Sequence, residues 1–302
     1  MHWKGVVLPM RCRSALTRID ALRTGELPAE EQGVVHEHLS TCRSCNDSVS
    51  DVSTLVKSVK ALLTIPPRSC KDTIADSYEQ LREGSEVVWV AFSDSGLRLI
   101  VRGGTFDDLR SEYAKRYCRG LKAGTLPDAL RKQVLGALAG EGVDKPKVDW
   151  SDELTDLERD VLTLLPRIPR GEVRTYEWVA REVGRPRAVR AVGSILARNA
   201  VPLVVPCHRV VPTAGGVGQY AFGSAVKREL LRREGVDVES LDALAHKGVR
   251  YIGSRTTKIV CFPTCRDARR IRDENRVPFR GAGEAVEKGF RPCLRCRPFL
   301  AA

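Results

Sequence analysis

Apolar residues in the first 64 positions recur at helical spacing. The stretch GELPAEE (25–31) is a break followed by a helix start. Further on, six apolar positions follow the period of an α-helix; they are Val52, Leu55, Val56, Val59, Leu62 and Leu63. The IPPR stretch at 65–68 ends this helix, because proline cannot donate a backbone hydrogen bond. The pattern predicts a small helical module followed by a linker.

The pattern changes to a mixture of helices and strands over residues 70–150. A helical stretch is expected first. EVVWVAFSDSGLRLIVRGG (86–104) has two apolar runs separated by an SDSG turn, which predicts a β-hairpin. Helices are predicted around 106–118 and 126–139. This arrangement is typical of a small α/β domain.

A mostly helical segment follows. TYEWVAREVG (175–184) and AVRAVGSILARN (188–199), joined by a short GRPR turn, predict a helix–turn–helix. The last segment is short, basic and rich in cysteine. The fold class predicted is an α/β plus helical multi-domain protein. Its predicted domains are residues 1–64, 70–150, 151–242 and 243–302.

Length and composition narrow the class of protein. The chain has 302 residues, enough for two or three domains, and 42% of them are hydrophobic. It contains no run of 18 apolar residues, and charges occur throughout the first 25, so neither a membrane span nor a secretory signal is predicted. We expect a soluble protein of the cytoplasm.

The positive charge is concentrated at the C-terminus. The formal net charge is +12, and residues 243–302 hold 14 Lys or Arg against 5 Asp or Glu. Such a concentration suits a polyanionic partner, most plausibly nucleic acid. A merely soluble basic surface would give the same count, so charge alone leaves both interpretations open.

Ten cysteines are present, and their spacing favours metal binding over disulfides. Two C-x-x-C pairs and one C-x-x-x-C pair occur. At the N-terminus, His38 and Cys42 lie one helical turn apart and Cys45 follows at C-x-x-C spacing. With Cys12 they form a candidate tetrahedral zinc site, which would stabilise a module with a thin core. His36 is a rival ligand, less favoured because it lies six residues from Cys42. We expect Cys70 and Cys118 to be free thiols.

This stretch resembles the zinc finger of zinc-binding anti-sigma factors. The matching residues are Cys12, GELP at 25–28, and HLSTCRSC at 38–45. The resemblance implies a protein partner, such as a sigma factor, or a response to redox state.

The octapeptide VVPCHRVV (204–211) raises the question of what Cys207 does. A thiolate is the reactive form of cysteine, and an adjacent base can generate it. His208 could act through a water, and Glu234 is a candidate to orient it. A buried structural cysteine is the alternative that the tetrapeptide alone would favour.

The wider segment resembles the O6-alkylguanine-DNA alkyltransferase family. The matching stretches are IPRGEVRTYEWVA (168–180), RAVRAVG (187–193), RNAVPLVVPCHRVV (198–211), GGVGQYAFG (215–223) and KRELLRREG (227–235). The resemblance implies an alkyltransferase α/β domain followed by a catalytic helix–turn–helix domain. The two small zinc modules would flank them.

The resemblance also implies roles for individual residues. Cys207 would keep an alkyl group taken from guanine O6, in one turnover, as a methylated-DNA–protein-cysteine methyltransferase. His208 and Glu234 would activate the thiol, and Asn199 would brace its turn. Tyr176 would face the guanine, and Arg190 would fill the duplex where the base is flipped out. On its own, Arg190 would more often be a solvated helix charge.

One stretch departs from the family pattern. Many members have Tyr-Ser-Gly-Gly where this chain has Tyr220, Ala221, Phe222 and Gly223. Ala221 removes a hydroxyl whose hydrogen bond would contribute about 0.5–1.5 kcal/mol. We expect a tight substrate pocket at Tyr220, Ala221 and Phe222 that accepts methyl well and benzyl poorly.

The last cysteines form a second candidate zinc site. Cys261 and Cys265 precede Cys293 and Cys296 by 27 intervening residues, a strong four-thiolate signal. RTTKIVCFPTC (255–265), RDENRVPF (272–279) and KGFRPCLRCRP (288–298) resemble the Ada-type zinc-binding methyl-acceptor domain. That resemblance implies that Cys261 accepts a methyl from a DNA methylphosphotriester.

The residues of this last domain that would contact DNA are less well defined by the sequence than the other site residues. The candidates are Thr257, Arg266, Arg291 and Arg295; for each, an ordinary basic surface is nearly as plausible.

The predicted function is repair of alkylated double-stranded DNA by direct reversal, with zinc as cofactor. The alternative is a damage-responsive regulator that binds DNA and signals through its N-terminal zinc module. No AraC-type region is found between the acceptor domains, since residues 236–250 are too short.

Overall fold

The computed structural model describes residues 12–16, 18, 27–47, 75–117, 119–143, 145–150 and 154–299. The chain divides into two compact units, residues 1–70 and 71–302. The predicted helix at 52–63, the linker at 65–68, Cys70 and Cys118 lie outside the described residues. Within those residues, no helix has the length and apolar character needed to cross a bilayer.

The N-terminal unit is helical, as predicted. Helix α1 spans Cys12–Leu16 and α2 spans Ala29–Thr41, with a further helical turn at residues 43–47. Pro28 precedes α2, where its missing amide is not needed, and Glu30 and Glu31 suit the positive end of the helix. Its small core is formed by Ala15, Leu27, Val35 and Cys45.

The second unit begins with a four-stranded sheet in the order β3-β2-β1-β4. Its strands are β1 Ala75–Glu83, β2 Glu86–Ser93, β3 Gly96–Arg102 and β4 Gly120–Ala123. The predicted hairpin is confirmed, because β2 and β3 pair antiparallel. Helices α3 (Phe106–Arg116) and α4 (Asp128–Leu138) are confirmed within two residues of their predicted ends.

The helical start predicted for this domain is wrong from residue 75 onward. Strand β1 pairs antiparallel with β2 and parallel with β4, so it lies inside the sheet. Its sequence is mostly polar, but Tyr78 stacks on Phe106 of α3 at 4.4 Å between ring centroids. Pairing and packing outweigh the local composition, which carries no strand alternation.

A mainly helical part follows, with α5 at Asp156–Leu164. Strand β5 (Arg174–Thr175) leads directly into α6 (Tyr176–Glu182), and α7 spans Val189–Ala197. Helices α6 and α7 are the predicted helix–turn–helix, and Thr175 accepts the capping hydrogen bond from Trp178 N. The remaining elements are 3₁₀ turns at Leu165–Arg167 and Cys207–Arg209, β6 at Val210–Val211, α8 at Ser224–Arg233 and α9 at Val238–His246.

The C-terminal part is a second four-stranded sheet, ordered β10-β8-β7-β9. Its elements are β7 Tyr251–Ser254, β8 Ile259–Cys261, α10 Arg266–Arg269, β9 Arg276–Phe279, α11 Ala282–Glu287 and β10 Arg291–Pro292. One hydrophobic core runs from the first sheet through α6 and α7 to the cysteines of this part. The multi-domain α/β and helical fold is therefore as predicted.

Candidate active site and metal centres

Cys207 lies in a turn whose backbone is held on both sides. Residues 201–211 are all buried, and Cys207 is 5% exposed. After the turn, β6 pairs parallel with β5, with Val210 opposite Arg174. Leu203, just before the turn, has a φ of 74°, a strained value for a branched residue. The turn is therefore a rigid, partly strained support for one sulfur atom.

Asn199 braces this turn through three hydrogen bonds. Its side-chain amide nitrogen donates to the Val205 carbonyl at 3.0 Å and to Cys207 Sγ at 3.1 Å. Its side-chain oxygen accepts from the Val201 amide at 3.1 Å. The structure thus brings Asn199 and Cys207 together, and a donor aimed at sulfur favours the thiolate.

His208 and Glu234 form a buried pair beside the cysteine. His208 Nε2 lies 2.8 Å from Glu234 Oε1, and Arg209 donates to both oxygens of the same carboxylate. Burial alone would raise the pKa of Glu234, but the hydrogen bonds from His208 and Arg209, together with the charge of Arg209, hold it at about 2. Glu234 is therefore ionised, and it accepts the Nε2 proton of His208.

The other ring nitrogen of His208 is free to act as a base. Burial lowers the pKa of His208 below its ordinary value, outweighing the effect of Glu234, so the ring is neutral. With the proton on Nε2, Nδ1 carries a lone pair. Nδ1 is buried and has no hydrogen-bond partner among the described residues.

The resting state of Cys207 follows from two opposing effects. Burial raises the pKa of its thiol, while the Asn199 hydrogen bond and the Lys227 charge lower it. Lys227 is itself buried and donates to the Val210 carbonyl at 2.6 Å, and burial lowers its pKa to about 8. Residue 207 is a protonated thiol at neutral pH, next to groups that stabilise its anion.

Lys227 was missed by the sequence reasoning. A signal was present, because Lys227 lies three and four residues before Leu230 and Leu231 and so shares the buried face of α8.

A cavity of about 390 Å³ lies beside this site, lined by Asn199, Pro202, Ala221 and Phe222 together with residues of α3. The Tyr220 ring contacts the rings of His208 and Phe222 edge-on, at centroid distances of 6.2 and 5.5 Å. The structure thus places two of the three predicted pocket residues on this cavity, with Tyr220 between Phe222 and His208.

Tyr176 and Arg190 occupy the two helices of the helix–turn–helix. Tyr176 begins α6 and is half-buried; burial, and then the negative charge of Cys207 when ionised, raise its pKa. It therefore keeps its proton and can donate it. Arg190 is exposed on α7, apart from the buried residues.

The C-terminal cysteines form a second chemical centre. The sulfurs of Cys261, Cys265, Cys293 and Cys296 lie within 4.8 Å of one another, and all four residues are buried without a disulfide. Cys261 ends β8, and Cys265 caps α10. Four buried thiols whose sulfurs converge in this way fit tetrahedral zinc.

The N-terminal cluster has the predicted composition. The ligand atoms of Cys12, His38, Cys42 and Cys45 lie within 4.8 Å of one another. The Cys12 and Cys42 sulfurs are 3.7 Å apart, and two thiolates on one zinc are expected at about 3.8 Å. His38 Nε2 lies 3.4 Å from Cys45 Sγ, whereas His36 is exposed and outside the cluster.

A basic groove of about 630 Å³ opens beside Cys261. It is lined by three of the predicted DNA contacts, Thr257, Arg291 and Arg295. Arg270 and Arg272, which the sequence reasoning missed, also line it. Arg266 is exposed on α10 and is not among the lining residues.

Three family models match the chain. Residues 156–236 match 6-O-methylguanine DNA methyltransferase, DNA binding domain; residues 238–298 match the metal binding domain of Ada; and residues 12–46 match a zinc-finger model. The second unit therefore carries the DNA-binding domain of an alkyltransferase followed by an Ada-type metal-binding domain. Residues 156–236 belong to the O6-methylguanine DNA methyltransferase family, in a chain that has zinc modules at both ends.

Parts of the chain are similar to individual proteins. A methylated-DNA–protein-cysteine methyltransferase of Methanosarcina acetivorans is 39% identical over 104 residues, 34% of this chain and 66% of the relative. The regulatory protein ada of Salmonella typhimurium is 31% identical over 183 residues, 55% of this chain and 52% of the relative. The crystal structure of an O6-methylguanine-DNA methyltransferase from Pyrococcus kodakaraensis is 30% identical, covering 53% of this chain and 99% of that one, with a TM-score of 0.44. The chain thus spans less than two thirds of the length of these curated relatives.

Proposed function

We propose that this protein repairs DNA by moving a methyl or other small alkyl group from guanine O6 to Cys207. One observation carries the proposal: the Cys207 sulfur accepts a hydrogen bond from Asn199, and the next residue is an imidazole oriented by an ionised carboxylate. A nucleophile, a base and an orienting group in this order are the recurring parts of activated nucleophiles.

The reaction follows from the protonation states. His208 Nδ1 takes the Cys207 proton through a bridging water, and Glu234 stabilises the resulting imidazolium. The sulfur attacks the alkyl carbon, so that an S–C bond forms while the O6–C bond breaks. The guanine leaves with the bond electrons and receives a proton from Tyr176, and the proton held by His208 returns through solvent to Tyr176. The product is a thioether without an ionisable proton, so each molecule acts once.

Double-stranded DNA is the partner that this chemistry requires. A methyl on O6 of a stacked guanine cannot reach a buried sulfur, so the nucleotide must be extruded. Arg190 is exposed on α7, and in this proposal it fills the gap that the extruded base leaves. The cytoplasm is kept as the proposed location of the protein.

The pocket residues support a preference for small groups. Phe222 packs edge-on against Tyr220, and Ala221 contributes no hydroxyl to O6. We expect O6-benzylguanine to inactivate the protein slowly. Replacement of Phe222 by glycine should accelerate that inactivation, with little effect on methyl transfer.

A second acceptor at Cys261 belongs to the same proposal. The basic groove beside Cys261 suits a DNA backbone, and Thr257, Arg291 and Arg295 would hold the phosphates there. The four cysteines would hold zinc, which keeps ligand thiols ionised at neutral pH. Cys261 would then take a methyl from a methylphosphotriester and leave a phosphodiester.

The remaining assignments also stand as proposals. The domain segments are residues 1–64, 70–150, 151–242 and 243–302, although α9 runs across residue 242. For the N-terminal module we keep a sigma factor as the proposed partner, because its zinc cluster has the composition predicted from the anti-sigma resemblance. Co-purification of a sigma factor with the full chain, and its loss in Cys42→Ser, would test this.

The test of the main function uses duplex DNA carrying a labelled methyl on guanine O6. Label should pass to the wild-type chain up to one methyl per molecule. Cys207→Ser should accept none, whereas Cys261→Ser should still accept it. A Cys207→Ser protein that removed the methyl would overturn the assignment.

A further inference from the structure

The segment between Glu172 and Glu182 lies directly against the loops that hold the C-terminal cysteines. Trp178 of α6 donates its indole N–H to the carbonyl of Cys296 at 3.0 Å. Arg181, one turn later, donates to the carbonyls of Arg297 and Pro298, and Glu182 pairs with Arg297. The second C-x-x-C loop is therefore fixed to one face of α6 by its backbone.

The first cysteine loop is fixed to the same segment. The Val173 amide donates to the hydroxyl of Thr264 at 2.9 Å, and the Arg266 amide donates to Glu172 at 3.0 Å. Thr264 lies between Cys261 and Cys265 in sequence, so this bond is made inside the ligand loop. Both halves of the cysteine cluster thus rest on residues 172–182.

Arg174 joins the two sides in the interior. It forms a buried ion pair with Glu172 at 2.6 Å, in which both side chains are 2% exposed. Its guanidinium lies over Trp178 at 5.5 Å and over Phe262, the neighbour of Cys261, at 5.4 Å. Separation of the two sides would leave the ion pair intact but break the contact between the Arg174 guanidinium and the Phe262 ring, so this cation–π contact favours the joined arrangement.

The same residues support the Cys207 site from the other direction. Arg174 and Thr175 form β5, which pairs with β6 immediately after the Cys207 turn. Tyr176, the proposed proton donor, is two residues before Trp178 on α6. A continuous set of contacts therefore leads from the cysteine cluster to both the acceptor turn and the proton donor.

We propose that the C-terminal cysteine loops act as the support that positions Tyr176 and the Cys207 turn, with Trp178 and Arg181 as positioning residues for alkyl transfer to Cys207. The proposal rests on the function proposed above. It makes the C-terminal module a structural part of the guanine site, so the two acceptor centres work as one body.

The test compares two indole variants of the full-length, zinc-loaded protein. Trp178→Phe keeps an aromatic ring and removes the donor to Cys296. Trp89→Phe is the matched control. Trp89 Nε1 also donates a hydrogen bond to a backbone carbonyl, that of Gly104 at 3.3 Å, and both residues are far in sequence from Cys207 and the C-terminal cysteines. Arg181→Gln is a second variant, at a side chain that is 15% exposed and is not part of the hydrophobic core.

Because each molecule reacts once, two measured quantities distinguish an effect of the substitution on the geometry of the site from an effect on folding. The end point of methyl transfer counts folded molecules, and the first-order rate at saturating DNA reports the geometry of the site. We expect Trp178→Phe and Arg181→Gln to reach the wild-type end point with rates about 2- to 10-fold lower, the range that one lost hydrogen bond gives. Hydrogen exchange of α6 amides should be faster in both variants, and zinc content should be unchanged. Trp89→Phe should match wild type in rate and α6 exchange.

Wild-type rates and wild-type α6 exchange in both variants would overturn the inference, as would a lower end point with an unchanged rate. Failure of the proposed function gives a different result, since the wild-type protein itself would then transfer no methyl to Cys207.

Discussion

At the scale of single residues, Glu234 and Lys227 decide the charge around the acceptor sulfur. Glu234 keeps the proton of His208 on Nε2, and Lys227 places a positive charge near Cys207. Both side chains are buried, so neither effect is screened by solvent as it would be at the surface. The role of each residue can be tested by a substitution, with a substitution of the same type at the protein surface as the control.

Glu234→Gln should slow methyl transfer at neutral pH by about tenfold or more, because the amide cannot stabilise the imidazolium that forms. Glu229→Gln is the control, since Glu229 lies exposed on α8, the helix that Glu234 directly follows, and pairs with Arg233. Single-turnover rates measure the difference. Equal rates for the two variants would remove Glu234 from the mechanism.

The same carboxylate predicts an acid-dependent loss of stability. Its pKa is about 2 in the folded protein against 4.5 ordinarily, so its contribution is present above pH 4.5 and is lost as pH falls toward 2. Denaturant unfolding across this range should show a steeper loss of stability in wild type than in Glu234→Gln. Parallel curves would contradict the assigned pKa.

Lys227→Met should raise the pKa of Cys207 further and shift the rate profile to higher pH. The rate at a pH below 7 should fall about tenfold for each unit by which the thiol pKa rises. Because the pKa of Lys227 is about 8, wild type loses this charge above pH 8, and the two profiles should converge there. Lys132→Met, an exposed change on α4, is the control.

At the scale of elements, the apolar periodicity of the sequence predicted helices and strands that are encoded locally. It missed elements that form only through contacts with distant parts of the chain. Helices α3, α4, α6 and α7 and the β2–β3 hairpin have clear apolar patterns, and all were predicted. Strand β1 was predicted as helix, because its polar sequence becomes a strand only through its neighbours. The zinc ligands were predictable from spacing, whereas Lys227, Arg270 and Arg272 join their sites through tertiary folding.

Close packing around strand β7 predicts how a glycine substitution there affects stability. A Cβ on Gly253 would lie 2.6 Å from the rings of both Phe279 and Phe290. Gly253→Ala should therefore destabilise the protein by about 1–3 kcal/mol through overpacking. Gly283→Ala, in α11 with nothing within 4 Å of the added carbon, should instead stabilise it by about 0.5–1 kcal/mol. Thermal unfolding distinguishes the two, and equal melting temperatures would show that the aromatic pair can move apart.

At the scale of the whole molecule, one hydrophobic core connects the Cys207 site, proposed to receive guanine, to the part of the second unit that carries the basic groove. The groove makes a prediction about salt, because each phosphate contact releases a counterion. Replacing Arg291 and Arg295 by glutamine should lower the slope of log affinity against log salt by about 1.8 for duplex DNA, or 0.9 for each contact. Arg280→Gln, exposed in the same module and outside the groove, should leave the slope unchanged.

The most direct measurement is peptide mapping by mass spectrometry after the full chain has reacted with a duplex containing O6-methylguanine. The account predicts one added methyl, on the peptide that contains Cys207, at the same rate at which the lesion disappears. Loss of the lesion with Cys207 unmodified, or a methyl carried only by another residue, would contradict it.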